Sequence, residues 1–350
     1  MAVYNGARYL REAVESVLNQ SFQDFEFLVI NDGSTDHTRE IILSYDDSRI
    51  RLVDNRQNRG QTASLNLGLQ LAQGDLIARQ DADDISEPER LARQVLFLED
   101  HSEVALLGTG YAKIDSHGNV TGIRKLPLNS TDIRWSLLFF CPFVHSAVVF
   151  RKSLILQQIG FYNEAFTYSQ DYELWLRIAR QLEIANLPEP LVRFRISSFS
   201  MTASYGDKTQ EGHRLRIANM AHLLNWNEAT QTESAEKQFR AMVALLFGSR
   251  ADIDPWDSSR TVQEVLRLHK TFCAFYRLSE KECAAHRERL RARLSRRLLE
   301  VAYYSVKDDY GAARQLVVQA CRLHWPILLT RSLASMSLKL LAKMPSRQLH

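Results

Sequence analysis

The chain has 350 residues, of which 45% are apolar and 24% charged, with a formal net charge of +3. That composition is ordinary for a globular protein with a sizeable core, and the length allows two domains. No apolar run approaches 18 residues and the start, "MAVYNGARYL", lacks an apolar signal region, so neither a membrane span nor a signal peptide is expected.

The charge is uneven. His286–His350 carries 13 Lys and Arg against 4 Asp and Glu, a net +9 that leaves −6 on the rest. A basic tail on an acidic body suggests an anionic partner such as lipid, nucleic acid or another subunit, or else a solvated helical face. Cys141, Cys273, Cys283 and Cys321 show no CxxC and no metal-ligand spacing, and read as reduced core residues of a reducing compartment.

In chain order, "VYNG" is a turn, and Leu10, Ala13, Val14, Val17 and Leu18 then mark one face of a helix. "FEFLVI" (25–30) is a compact apolar run suited to a strand covered on both faces. "NDGSTDHT" turns, and its Ser, Thr and Asp residues can cap a helix continued by "EIILSY". "IRLVDN" is a strand, "QTASLNLGLQLAQG" a helix stopped by Gly74, and "DLIAR" a third strand. Helix and strand thus alternate, which predicts an open α/β sheet with its ligand crevice outside the strands' carboxyl ends.

Beyond it, "PERLARQVLFLED" reads as a helix and "VALLGTGYAKID" as a strand with turns, its glycine pair given no weight as a phosphate loop. The apolar stretch 134–153 is broken by Pro142. "YSQDYELWLRIARQL" is a helix and "ANLPEPLVRFRISSFSMTAS" an extended segment with two prolines. From about Thr209 the pattern is helical. Domains are therefore expected over 1–208 and 209–350. "DDYGAARQLVVQACRLHWP" resembles one helical hairpin, and the end, "WPILLTRSLASMSLKLLAKM", is amphipathic and basic.

The stretch "RQDADDIS" (79–86) places three carboxylates in four positions at a strand's carboxyl end. Charges this close raise one another's pKa unless something neutralises them. One acid could cap the next helix, but that leaves two. A calcium loop counted from Asp81 would need Gly at Ser86 and Glu at Ala92, and fails. A divalent cation shared between one or two carboxylates and substrate phosphates explains the cluster better. Tyr4 could stack on a base and Asp32 accept a hydrogen bond from it, which together describe a nucleotide-sugar pocket.

"VYNGARYLREAVESVLNQSFQDFEFLVINDGSTDHT", "NRGQTASLNLGLQLAQGDLIARQDADDIS" and "SQDYELWLRI" resemble family 2 glycosyltransferases of the GT-A fold, over about Met1–Ser204. The resemblance implies a Rossmann-like, mixed but mainly parallel sheet flanked by helices, followed by a helical region. It implies that Tyr4 and Asp32 contact a nucleobase, usually uracil. Asp81 and Asp83 would be the DxD pair reaching ribose and a Mg²⁺- or Mn²⁺-bound diphosphate, with Asp84 supporting their loop. Asp171 would be the catalytic base; the family's Glu-Asp pair is Gln170-Asp171 here, so its pKa is expected to be less raised. His145 would line the acceptor side, and Ser197 stands where a histidine is often found. Taken on spacing alone, Asp171 is a helix cap and His145 a satisfied core histidine.

The expected reaction is one in-line displacement that inverts the anomeric carbon, with Asp171 deprotonating the acceptor hydroxyl. The partners implied by the resemblance are a nucleotide-sugar, namely a UDP-sugar, and a saccharide or lipid-linked saccharide acceptor, with no nucleic acid. The place would be the cytoplasm, at the inner face of the membrane, in cell-surface polysaccharide synthesis. The family's apolar first strand is expected to be missing, because Met1 sits almost on the "VYN" motif; an upstream start is the expected reason. That feature favours a non-catalytic sugar-nucleotide binding protein as the alternative, with a nucleotidyltransferase as another, although the latter's Gly-rich loop is not visible.

Overall fold

The computed structural model describes residues 1–196, 208–224, 233–248, 253–254, 257–305 and 309–324. Two units divide at Arg216–Ile217.

In the first unit, β1 (Ala2–Val3), β2 (Phe27–Asn31) and β3 (Ile50–Asp54) form a parallel sheet in that order. All five residues of β2 are buried, the reason its first four, Phe27 to Ile30, are apolar without alternation. Helix α1 (Ala7–Leu18) buries Tyr9, Leu10, Ala13, Val14 and Val17; α2 (Thr38–Leu43) and α3 (Gln61–Leu71) complete the alternation. The first strand, expected to be missing, is present as two residues. Met1 N–H donates to Leu28 O at 2.8 Å, Ile30 N–H to Met1 O at 2.8 Å and Asp32 N–H to Val3 O at 2.8 Å. Two residues are too few to carry a strand's period, which is why the sequence pattern does not mark them.

The second sheet has the order β4-β8-β6-β9-β5, with β7 added on β6. Its strands are β4 (Leu76–Ala78), β5 (Ile85–Ser86), β6 (Val104–Ile114), β7 (Val120–Arg124), β8 (Val149–Arg151) and β9 (Glu183–Arg195). Helices α4 (Arg90–Asp100), α5 (Ser130–Ser136), α6 (Lys152–Gln158) and α7 (Gln170–Gln181) flank it. The α/β class holds, with a refinement of "mainly parallel". Parallel pairing covers β1–β2–β3 and β6–β9, while β4–β8, β6–β8, β6–β7 and β5–β9 are antiparallel. Helical crossovers make parallel neighbours; past β4 several connections instead bring strands back antiparallel. No strand pair joins the two sheets among the described residues. Near β2 and β4 lies a cavity of about 610 Å³, lined by Phe27, Leu69, Leu76, Ile77 and Phe150 among others.

"VALLGTGYAKI" is one strand without turns. Its Gly108 permits a close approach: a Cβ there would meet Asn186 Oδ1 at 2.1 Å and Phe143 Cδ1 at 2.6 Å. The extended 185–204 segment is β9 as far as Arg195, and Pro188 and Pro190 sit where its register with β6 shifts. The main core surrounds Trp175 of α7, packed with Phe143, Phe150 and Tyr162.

After α8 (Lys208–Leu224), the second unit contains α9 (Glu233–Phe247), α10 (Ser258–Phe275), α11 (Glu280–Ser305) and α12 (Tyr310–Leu323). The stretch read as a hairpin around Tyr310 is the single helix α12, capped by Asp309 on Ala312 N at 2.9 Å. No helix among the described residues is long and apolar enough to cross a membrane. The amphipathic segment 325–344 and Ser197 lie outside the described residues.

Candidate active site

Tyr4 and Asn5 follow β1, and Asp32 follows β2. Tyr4 is half exposed, at 50%, and Asn5 adopts φ +50°. The "NDGSTDHT" turn ties this corner down. Asp36 Oδ2 accepts from Ala7 N at 3.0 Å, Thr38 Oγ1 from Gly6 N at 2.9 Å and Ser34 Oγ from Asn5 N at 3.0 Å. The Gly6 and Ala7 N–H groups are among those that the start of α1 leaves without helical partners. Asp32 is buried, and its carboxylate holds the neighbouring loop. Oδ1 accepts from Asn55 Nδ2 at 2.7 Å and Arg59 N at 3.0 Å, and Oδ2 from Gly60 N at 2.9 Å. Oδ2 therefore keeps a lone pair for a further donor.

Asp81, past the end of β4, already has a cation: the buried Arg79 guanidinium on Oδ1. Ser146 Oγ donates to Oδ2 at 2.8 Å and accepts from Asp81 N at 3.1 Å. Burial alone would raise this carboxyl, but Arg79, His145 and the Ser146 hydrogen bond hold it at about 2. Arg79 Nε donates to His145 Nε2 at 3.2 Å, and Tyr162 Oη lies 3.0 Å from the same nitrogen. An Nε2 that accepts from arginine places the ring proton on Nδ1. Burial and the Arg79 charge push His145 down to about 3, so it is a neutral support for Arg79.

Asp83 and Asp84 behave differently. Burial, then the charge on Asp81, pushes Asp83 up to about 6. Burial and both neighbouring carboxylates push Asp84 well above the usual range. Asp84 Oδ1 accepts from Arg195 N at 2.8 Å, whereas its buried Oδ2 has no hydrogen-bond partner. Arg195 also donates to Asp83 O at 2.8 Å and to Glu12 at 2.7 Å, pinning the loop to the end of β9. This donor set fits a divalent cation at Asp83, whose anion is otherwise disfavoured, better than at Asp81, whose oxygens are taken by Arg79 and Ser146. A cation held by one carboxylate and phosphates needs no more from the protein.

Asp171 is half-buried in the first turn of α7, and it is not the cap, since the N-cap position is Ser169. Its Oδ1 accepts from Tyr172 N at 2.7 Å. Burial pushes the carboxyl up to about 6, with a further rise from the charge on Asp81, which places both in one electrostatic site. Gln170 Nε2 donates to Gln61 Oε1 at 2.8 Å, and Gln61 Nε2 points to Asp81 Oδ1 at 3.5 Å. A chain of amides therefore links the Asp171 helix to the acidic loop. Gln61, Ser146, Tyr162 and Arg195 are not marked in the sequence because each acts through a partner far along the chain. Only Arg79, two residues before Asp81, gives a local signal.

Residues 1–157 match the sequence model of Glycosyl transferase family 2. An uncharacterised glycosyltransferase of Haemophilus influenzae is 31% identical over 237 residues, covering 64% of this chain and 73% of that protein. The amylovoran biosynthesis glycosyltransferase AmsE of Erwinia amylovora is 33% identical over 192 residues, 54% of this chain and 71% of that protein. The crystal structure of residues 1–349 of S. aureus TarS has a TM-score of 0.51 at 18% identity, covering 93% of this chain and 89% of that one. The same protein in complex with UDP gives 0.50 at 17%, with the same coverage. The order of strands and helices, the acidic loop and these relatives agree: the chain belongs to glycosyltransferase family 2 and is a glycosyltransferase of the GT-A fold.

Proposed function

We propose that the enzyme transfers a sugar, with inversion, from a UDP-sugar to an acceptor hydroxyl, with the help of a divalent cation. Asp171 carries the reading: a carboxyl near 6, within electrostatic reach of Asp81, is a base poised close to neutral pH. It removes the acceptor proton as the hydroxyl attacks the anomeric carbon from the face opposite the diphosphate. Asp83 would hold Mg²⁺ or Mn²⁺, while Asp81 fixes Arg79 beside the diphosphate and Asp84 fixes Arg195 at the loop. When bound, the cation supplies positive charge against the leaving diphosphate. Tyr4 stacks on the base, and Asp32 offers it the lone pair left on Oδ2. The TarS complex with UDP supports the choice of nucleotide. The AmsE relative, named for amylovoran biosynthesis, supports a place in polysaccharide synthesis; the acceptor would be a saccharide or a lipid-linked saccharide at the inner face of the membrane.

Calorimetric titration with UDP, with and without Mn²⁺, tests the donor site. Binding that requires Mn²⁺ and is lost in Asp83→Asn is the expected result. Equal affinity in both proteins without metal removes the cation from the reading; no binding of UDP at any Mn²⁺ concentration removes the UDP donor.

A further inference from the structure

The second unit contains a cluster that the glycosyltransferase reading does not use. His269 and Cys273 stand one turn apart on α10, and Cys283 stands in the first turn of α11. One ligand atom from each lies within 4.8 Å of the others. His269 and Cys273 are buried, at 2% and 7% exposure, and Cys283 is half-buried. We propose that His269, Cys273 and Cys283 form a binding site for a thiophilic divalent cation, with zinc as the favoured ion.

The spacing of one sulfur–nitrogen pair suits the ion. With Zn–S of about 2.3 Å and Zn–N of about 2.0–2.1 Å, a tetrahedral centre separates sulfur from nitrogen by about 3.6 Å. His269 Nε2 lies 3.5 Å from Cys273 Sγ. Spacings of i,i+4 place His269 and Cys273 on one helix face, and the turn at Arg277 brings Cys283 against them. His286, three residues beyond Cys283, stacks on His269 with ring centroids 5.0 Å apart and planes at 10°. Thiolates and imidazole are the donors that soft and borderline ions select over magnesium or calcium. Binding deprotonates both thiols: two protons leave to solvent, and two thiolates neutralise the dication. No linear motif announces this site, because the ligands come from two helices, H-x₃-C on one and C on the next. Its role would be to staple the α10–α11 hairpin.

The test uses the full chain, purified under reducing conditions without a metal-affinity step. Elemental analysis should find about one zinc per chain. After chelation, Co²⁺ titration should produce a thiolate-to-cobalt charge-transfer band. That band should be lost in Cys273→Ser and Cys283→Ser and kept in Cys141→Ser, which lies in the other unit. Circular dichroism establishes that each variant is folded; Cys283 is half-buried, so its substitution guards against loss of the fold. Folded protein that retains no zinc and gives no band overturns the proposal, as does a band indifferent to both substitutions. Loss of two titratable thiols in the absence of metal, from a Cys273–Cys283 disulfide, overturns it too. UDP binding reads the other unit, so the outcome is separate from the donor reading.

Discussion

Asp171 sits in a first helical turn, where the helix dipole favours the anion by at most about 1 kcal/mol at an exposed site. Its carboxyl is nonetheless pushed up to about 6, so burial wins. Asp171→Asn is expected to lower kcat by roughly 10²–10⁴-fold while leaving UDP binding intact. In the wild type, kcat/KM should rise with pH and level off above about 6. The stability effect runs the other way. The folded carboxyl holds its proton above the unfolded value of 3.8, so its favourable contribution is full below about pH 4 and lost as pH rises through about 6. The Asn variant should therefore gain on the wild type, by up to about 3 kcal/mol, between acid and neutral pH. Denaturation curves at the two pH values check this; a pH-independent difference sinks it. Asp81, two residues from Asp83, shows how one neighbour changes the outcome: Arg79 holds Asp81 at about 2, while burial and the Asp81 charge push Asp83 up to about 6.

At the scale of elements, the base-side corner depends on two turns packed backbone to backbone. Gly33, just past β2, has φ +72°, and a Cβ there would meet Gln57 C at 2.5 Å and Asn58 N at 2.7 Å. Neither contact is a flexible side chain that can swing away. Gly33→Ala should cost at least about 2 kcal/mol of stability, from the left-handed backbone and the displaced loop. It should also weaken UDP binding, because Asp32 holds that loop through Arg59 N and Gly60 N. Urea denaturation and calorimetry measure both; a variant as stable as the wild type contradicts the packing. The acidic loop has a second brace in Arg90, fully buried, whose guanidinium donates to Gln80 Oε1, Ser86 Oγ, Arg79 O, Val148 O and Gln94 Oε1. Burial without a carboxylate in direct contact pushes Arg90 down to about 9.

For the whole molecule, every residue assigned to the donor site lies within Met1–Arg216, one of the two units. A fragment of residues 1–216 should bind UDP with the affinity of the full chain. The full chain is expected to bind anionic vesicles and the fragment to fail to, since the fragment lacks the +9 segment. Co-sedimentation and calorimetry read the two properties on the same samples. Loss of UDP binding in a folded fragment would show that the helical unit completes the pocket; retained vesicle binding would remove the tail from the membrane contact.

The sequence by itself determined the α/β alternation of the first 85 residues, the fully buried β2, the acidic loop at a strand's carboxyl end and the family. Each is written in residues close along the chain, where period, turn chemistry and charge spacing act. The tertiary structure decided what those residues meet. Asp36 and Thr38 satisfy the start of α1 rather than only their own helix, because the turn after β2 folds against it. Asp32 holds a loop 27 residues away, and Asp81 is neutralised by Arg79 only where Ser146 and His145 arrive from about 65 residues on. Desolvation and charge depend on distance in space, and a linear chain carries no record of it until it folds.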